Sequence, residues 1–359
     1  MALKKQDRRL KVAILGCGPI AQFAHFESAV KARNCELYAI CDVAEDLVER
    51  MGNTYLPQKR FHDYQKMLDD TALDAVIIAT SDAFHVPASI MALNAGKHVL
   101  CEKPLGLGVE EVEGLAEDVK KSGKVLQIGH MLRFDEGLEA GRAFAQSEMG
   151  QQLAFKAWYC DSTHRYTMTD AIQSLPILSA SARKPTTSPK ADLKRYYMLA
   201  HGCHLLDLAR FYCGEITEVN ARLNEKFGAY SWFIDVGFAN GCMGHLDLTV
   251  AIRADWSEGL TLYGEHGSVN AKTYNPWYYK SSDVEIFHEK DATYRRPLGA
   301  DGHFYRRQLE GFADVILDGR PMRGADINDG VASVRAMVAV AQSARTGKSV
   351  LLSDVSGLV

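Results

Sequence analysis

No apolar run in this 359-residue chain approaches the roughly 20 residues needed to cross a bilayer; the stretch 75–79 is typical. The first eleven residues are polar and basic, without the apolar segment of a secretory signal. Basic residues are not in excess either. With 41 Lys+Arg against 45 Asp+Glu the formal net charge is -4, so the broad cationic surface that a phosphate backbone requires is missing and nucleic acid is not an expected partner. The eight cysteines, at 17, 35, 41, 101, 160, 203, 213 and 242, form no C-x-x-C pair and no other zinc-type spacing. Several sit inside apolar runs, as reduced core thiols do, and a cytoplasmic location is expected. Internal repeats and low-complexity tracts are also missing.

What is present is a globular inventory, 47% hydrophobic and 24% charged, at a length that suggests two domains. As far as about Gln146, short apolar runs (12–15, 37–41, 73–79, 98–101, 125–128) alternate with helix-like segments (20–32, 44–52, 86–94, 109–122). Strands apolar on both faces under helical cover describe a doubly wound parallel sheet. Beyond about Gly150 longer polar/apolar alternation takes over, at 218–227, 232–239, 243–252 and 259–263, as expected of antiparallel strands with one face on a core. Helices are expected near 303–317 and 327–345, the second closed by Gly347, and 179–194, with Pro185 and Pro189, reads as an exposed loop. The fold class is therefore α/β: a doubly wound parallel sheet over 1–130, then an α+β domain with an open, mostly antiparallel sheet over 131–359.

The strand at 12–15 runs into Gly16-Cys17-Gly18-Pro19-Ile20-Ala21, a G-x-G-x-x-A turn ahead of a helix. Gly16 permits the tight turn, Gly18 lets backbone approach a pyrophosphate, Ala21 lets the helix pack on the strand, and the helix N-terminus faces the anion. The second strand ends at Asp42, 21 residues beyond Ala21, where a carboxylate can accept both ribose hydroxyls and repel a 2′-phosphate. The pattern points to NAD in preference to NADP; the plain alternative is a glycine turn in a non-binding α/β domain.

Two further segments, Thr80-Ser81-Asp82-Ala83-Phe84-His85 and Ala95-Gly96-Lys97-His98-Val99-Leu100-Cys101-Glu102-Lys103-Pro104, closely resemble the fourth and fifth strand regions of the glucose-fructose oxidoreductase / inositol dehydrogenase (Gfo/Idh/MocA) family. With the glycine turn, 129–134 and 264–269, the resemblance covers most of the chain. It implies a Rossmann domain followed by an open-sheet domain, NAD(P) bound between them, and oxidation or reduction of a sugar or cyclitol carbinol. Pro19, Ile20, Thr80, Ser81, His85, Glu102 and Lys103 then join Gly16, Gly18, Ala21 and Asp42 as expected cofactor contacts. By the same resemblance Lys103 is the active-site lysine. An ammonium beside nicotinamide can polarise a carbonyl or steady an alkoxide, and Pro104 keeps Lys103 out of helical geometry.

The family's second catalytic segment usually reads Asp-x-Gly-x-His-x-x-Asp. Here it is Ala200-His201-Gly202-Cys203-His204-Leu205-Leu206-Asp207, so Ala200 replaces the aspartate, and Lys194-Arg195-Tyr196-Tyr197 replaces the expected glycine cluster. His204 is the natural general acid/base, because an imidazole can take the carbinol proton while hydride leaves its carbon. His201, on the same helical face, could stand in for the missing carboxylate or could simply pack or cap. Expected catalytic residues are thus Lys103, His204 and His201, and expected substrate contacts Lys103, Arg133, Tyr159, His164, Arg165, His201 and His204. Tyr166, Trp277, Tyr278 and Tyr279 offer similar polar aromatic surfaces. His201, His204 and Asp207 do not make a metal site, since a helix spreads 201 and 207 by more than half a turn, and no metal is expected.

The resemblance implies an NAD-dependent oxidoreductase for a sugar, glycoside or cyclitol, assembled as a homodimer or homotetramer through the open sheet face, with no nucleic-acid or membrane partner. Two other readings stay open at this point: a redox-neutral glycosidase of the same fold that keeps NAD bound, and a dinucleotide-sensing protein that has lost catalysis.

Overall fold

The computed structural model describes residues 8–164, 170–182 and 189–359. Its first sheet has six strands, β1 (Leu10–Leu15), β2 (Cys35–Cys41), β3 (Lys59–Phe61), β4 (Ala75–Ile78), β5 (His98–Cys101) and β6 (Leu126–Ile128), in the order β3-β2-β1-β4-β5-β6. Every neighbouring pair is parallel. This is the expected doubly wound sheet, and the order reverses between β1 and β4, which opens a crevice at their carboxyl ends. β1 shows why the strands read as unbroken apolar runs. Leu10, Val12 and Ile14 enter one buried cluster while Ala13 and Leu15 enter another on the opposite face. Where one continuous helix is expected over 20–32, the chain instead makes a wide π turn, Ala21–His25, before the α-helix Phe26–Lys31.

The second sheet has nine strands: β7 (Gln152–Ser162), β8 (Ile216–Lys226), β9 (Ala229–Phe238), β10 (Met243–Ile252), β11 (Ser257–Gly264), β12 (Gly267–Thr273), β13 (Asp283–His288), β14 (Thr293–Arg295) and β15 (Val350–Leu351). Their order is β14-β13-β12-β11-β7-β10-β9-β8-β15. All pairs are antiparallel except β7 with β10, which run parallel because the chain leaves β7, crosses the helix Cys203–Cys213 and returns through the β8-β9-β10 meander. Helices Glu136–Ser147, Cys203–Cys213 and Ile327–Thr346 cover one face. The other face is open and carries Phe233, Met243 and Tyr263 at the surface. Helix Ile327–Thr346 begins at a capping box between Asp326 and Asp329 and stops at Gly347, whose φ of +69° ends it in a left-handed turn.

Helix Phe304–Asp318 belongs to the second half of the sequence but packs on the first sheet. Leu309, Phe312 and Ala313 complete the same buried cluster as Val12, Ile14 and Ile40. Arg33 fixes it with ion pairs to Glu310 at 3.0 Å and Asp314 at 2.7 Å. Among the described residues no helix is long and apolar enough to cross a membrane, and all eight cysteines are free thiols.

Candidate active site

At the end of β1 the glycine turn is dictated by space. Gly16 has φ +95°, and a Cβ there would stand 2.7 Å from the Ala79 carbonyl oxygen on β4's end, so no other residue fits. A Cβ at Gly18 would meet nothing within 4 Å, which leaves backbone open to an incoming group. Asp42, just past β2, accepts hydrogen bonds from the backbone N–H of Cys17 at 2.7 Å and of Ala44 at 2.9 Å, so its carboxylate is held beside the turn. Across the crevice, Thr80 Oγ1 is buried with no hydrogen-bond partner among the described residues. Ser81 flanks it, ahead of the short helical turn Asp82–Phe84. An open glycine loop, a fixed carboxylate and an orphaned hydroxyl suit a dinucleotide with its diphosphate at the turn.

Beyond Thr80 the ring nitrogens of His85 lie 2.7 Å from the Pro104 carbonyl oxygen and 3.2 Å from that of Thr80, tying the β4 and β5 loops together. The Lys103-Pro104 peptide is cis. Glu102 is buried and pairs with His25 Nε2 at 2.9 Å while accepting the Lys103 N–H at 3.2 Å. Burial alone would raise this carboxyl, but the hydrogen bond from His25 and the charges of His25 and Lys103 hold it below the usual range.

Lys103 Nζ points across the cleft and donates to the Ala200 carbonyl oxygen at 3.2 Å. Where the resemblance leads one to expect a carboxylate at position 200, the backbone therefore receives the ammonium. Residues Met198–Gly202 form a π turn ahead of the helix Cys203–Cys213, which offsets His201 from His204 differently from one regular helix. The His204 ring is stacked parallel to Tyr159 at 6.0 Å and stands edge-on to His130 at 6.4 Å. His201 Nδ1 lies 3.1 Å from the Tyr159 hydroxyl, and its Nε2 lies 3.2 Å from Asp161 Oδ2. Asp161 on β7, absent from the sequence expectations, thus supplies the acid that the loop lacks.

Lys103, Tyr159, His201 and His204 line a cavity of about 500 Å³ together with Pro19, Ile20, Thr80, His85 and Glu102, with Asp161 behind His201. Its far wall is aromatic: Trp277 stacks on Tyr305 at 5.7 Å and 6°, with Phe23 packed at 5.6 Å. Trp256 and the buried acid Glu258 complete it. Glu258 sits in the inward phase of β11 with Leu260 and Leu262, so a charged residue in a buried apolar row was the signal available for it.

The other expected contacts lie elsewhere. Arg133 is buried and committed: Nε and Nη2 donate to Asp207 at 2.7–3.2 Å and Nη1 to Asp329 at 2.8 Å. It is not among the cavity-lining residues. His164 is exposed at the end of β7, with its N–H on Ser162 Oγ at 3.0 Å. Tyr279 turns toward Glu27 and Phe23 at 3.4 Å, and Tyr278 is exposed. Arg165 and Tyr166 lie outside the described residues. Among the described residues no group of three or more His, Cys, Asp or Glu could hold a metal ion.

A glycine turn beside a fixed carboxylate and a lysine–histidine cluster meet here at the switch point of a doubly wound sheet, an arrangement that suits an NAD-dependent oxidoreductase. Residues 10–130 match the model of the oxidoreductase family with an NAD-binding Rossmann fold, and residues 139–270 match that of the GFO/IDH/MocA C-terminal domain. The chain belongs to the Gfo/Idh/MocA family. It is 24% identical to the scyllo-inositol 2-dehydrogenase (NAD(+)) of Bacillus subtilis over 96% of this chain and 97% of that one. It is 25% identical to the D-glucoside 3-dehydrogenase of Escherichia coli over 96% and 97%. The fold matches a crystal structure of an Agrobacterium radiobacter oxidoreductase in complex with NAD+, L-tartaric acid and magnesium, with a TM-score of 0.78 and 16% identity over 96% of this chain and 99% of that one.

Proposed function

We propose that this chain oxidises or reduces a carbinol carbon of a sugar, glycoside or cyclitol with NAD, residues 1–130 holding the nucleotide and 131–359 the substrate. The observation that carries this reading is the convergence of Lys103, His201 and His204 on a cavity that also borders the glycine turn. Gly16, Gly18, Pro19, Ile20, Ala21, Asp42, Thr80, Ser81, His85, Glu102 and Lys103 hold the nucleotide. NAD supplies the hydride acceptor or, reduced, the donor. Lys103 Nζ donates to the reacting oxygen, exchanging its contact with the Ala200 carbonyl for one with substrate. His204 takes the hydroxyl proton, and the parallel ring of Tyr159 fixes its plane. His201, anchored by Asp161, is the neighbouring group that takes the place of the carboxylate missing at Ala200.

The assay is nicotinamide absorbance at neutral pH with myo-inositol, scyllo-inositol, methyl glucoside and free hexoses. Turnover with at least one is expected, and tight NAD binding without any turnover refutes the reading. The apolar side chains on the open sheet face support a homodimer or homotetramer, checked by sedimentation, and eight free thiols fit a reducing compartment such as the cytoplasm.

A further inference from the structure

Asp135 and Glu258 are both buried carboxyl groups, and their surroundings differ. Asp135 is structural: it accepts from Leu138 N, Ser281 Oγ, Ser282 N and Ser282 Oγ at 2.8–3.0 Å, which uses its lone pairs. Glu258 is only 4% exposed, yet no hydrogen bond or ion pair to its carboxyl forms among the described residues. Its place is fixed by register, opposite Tyr159 on β7 and Thr273 on β12, on the face that looks into the cavity.

We propose that Glu258 enters this cleft as an uncharged carboxylic acid and donates its O–H to a hydroxyl of a neutral polyol substrate. The inference rests on the carbohydrate reading above and extends it to a residue that reads the substrate. An ionised carboxylate buried without a partner costs several kcal/mol, whereas a neutral acid needs only one acceptor, and a polyol supplies one. The charges around it favour the neutral form. Asp161 on β7 and Asp135 ahead of helix Glu136–Ser147 are carboxylates, Tyr159 is its cross-strand neighbour, and Thr273 on β12 is uncharged. Across the cavity Lys103 contacts the Ala200 carbonyl and His201 contacts Asp161, with His204 and Asp170 also on the wall. Burial first, then the charges of Asp135 and Asp161, push Glu258 up to about 8. Only above about pH 8, where Glu258 would carry charge, should a carboxylate-bearing sugar such as glucuronate be repelled from this wall.

The test compares wild type, Glu258→Gln and Glu258→Ala with the best neutral substrate of the panel and with glucuronate, from pH 6 to 9. The carboxamide keeps shape, donor and acceptor. Glu258→Ala is expected to raise KM about ten- to a hundred-fold with kcat little changed and NAD affinity untouched, while Glu258→Gln recovers most of the KM. Wild-type KM should climb above about pH 8 as the donor is lost, and that of Glu258→Gln should stay flat. Infrared difference spectra between wild type and Glu258→Gln should show a protonated carboxyl at pH 6 that vanishes by pH 9, a readout that stands even if no substrate in the panel turns over. Absence of that band, an Ala variant with unchanged KM, or a wild-type KM that falls as pH rises with amino sugars preferred, overturns the proposal. If Glu258→Ala does not fold, the Gln variant and the infrared titration decide.

Discussion

Replacing Arg133 with methionine separates a buried ion-pair hub from a substrate contact. The guanidinium is 6% exposed, makes three hydrogen bonds to Asp207 and one to Asp329, and lies 5.3 Å over the Phe211 ring. Methionine keeps much of the volume but strands Asp207, itself 2% exposed, which is left beside His130 at 3.7 Å, an imidazole that burial keeps from charging. Asp329 suffers less, because Arg210 still pairs with it at 2.9 Å and the helix cap still uses it. Breaking one side of a buried pair costs about 3–5 kcal/mol, so the Arg133→Met variant should lose about 4 kcal/mol. At roughly 2 °C per kcal/mol for a chain of this size, its Tm should fall by roughly 8 °C. Adding Asp207→Leu should restore most of that, since both charges then leave together. Urea unfolding and calorimetry measure the loss, and steady-state kinetics on the surviving native fraction measure KM. A variant within 1 kcal/mol of wild type with a KM raised about tenfold would refute the hub and return Arg133 to the substrate.

Burial would raise Asp329, but the charges and hydrogen bonds of Arg133 and Arg210 hold it at about 2, below its ordinary 3.8. Because the folded value lies below the unfolded one, the stabilisation is complete above about pH 4 and disappears as pH falls toward 2, worth about 2 kcal/mol. Asp329→Asn should therefore flatten the acid limb of a Tm-versus-pH curve, and a parallel curve contradicts the assignment. Asp42→Ala should weaken NAD by about tenfold and narrow its advantage over NADP; an unchanged NAD/NADP ratio in calorimetric titration removes Asp42 from ribose recognition. Gly16→Ala places a methyl 2.7 Å from the Ala79 carbonyl at a positive φ and should lower both Tm and NAD affinity. Wild-type affinity in that variant would show that the turn can shift.

The nucleotide half was legible because its signals are local. Gly16 to Ala21 sit at a strand-to-helix turn, Asp42 ends the next strand, and Glu102-Lys103-Pro104 are contiguous. Asp161 and Glu258 were not, because they arrive through long-range pairing. Asp161 meets His201 only once β7 lies beside the helix Cys203–Cys213, and Glu258 faces the cavity only through its register with Tyr159. β7 itself escaped because residues such as Trp158 and Cys160 are half-buried, which blurs its alternation. Arg133 read as a substrate contact from its place at the start of the second domain; the carboxylates that occupy it come 74 and 196 residues later. The one parallel pair of the second sheet among the described residues, β7 with β10, follows from chain path and leaves no mark in composition.

The docking of Phe304–Asp318 on the first sheet sets an order for biosynthesis. Phe26, Ala29, Leu47 and Val48 cover part of the β1 and β2 flank bearing Val12, Ile14 and Ile40, and the remainder stays open until Leu309, Phe312 and Ala313 have emerged from the ribosome. The earliest-made half therefore waits, unfinished, for nearly the last, and a fragment ending near residue 130 would keep that half-covered apolar flank exposed to aggregation.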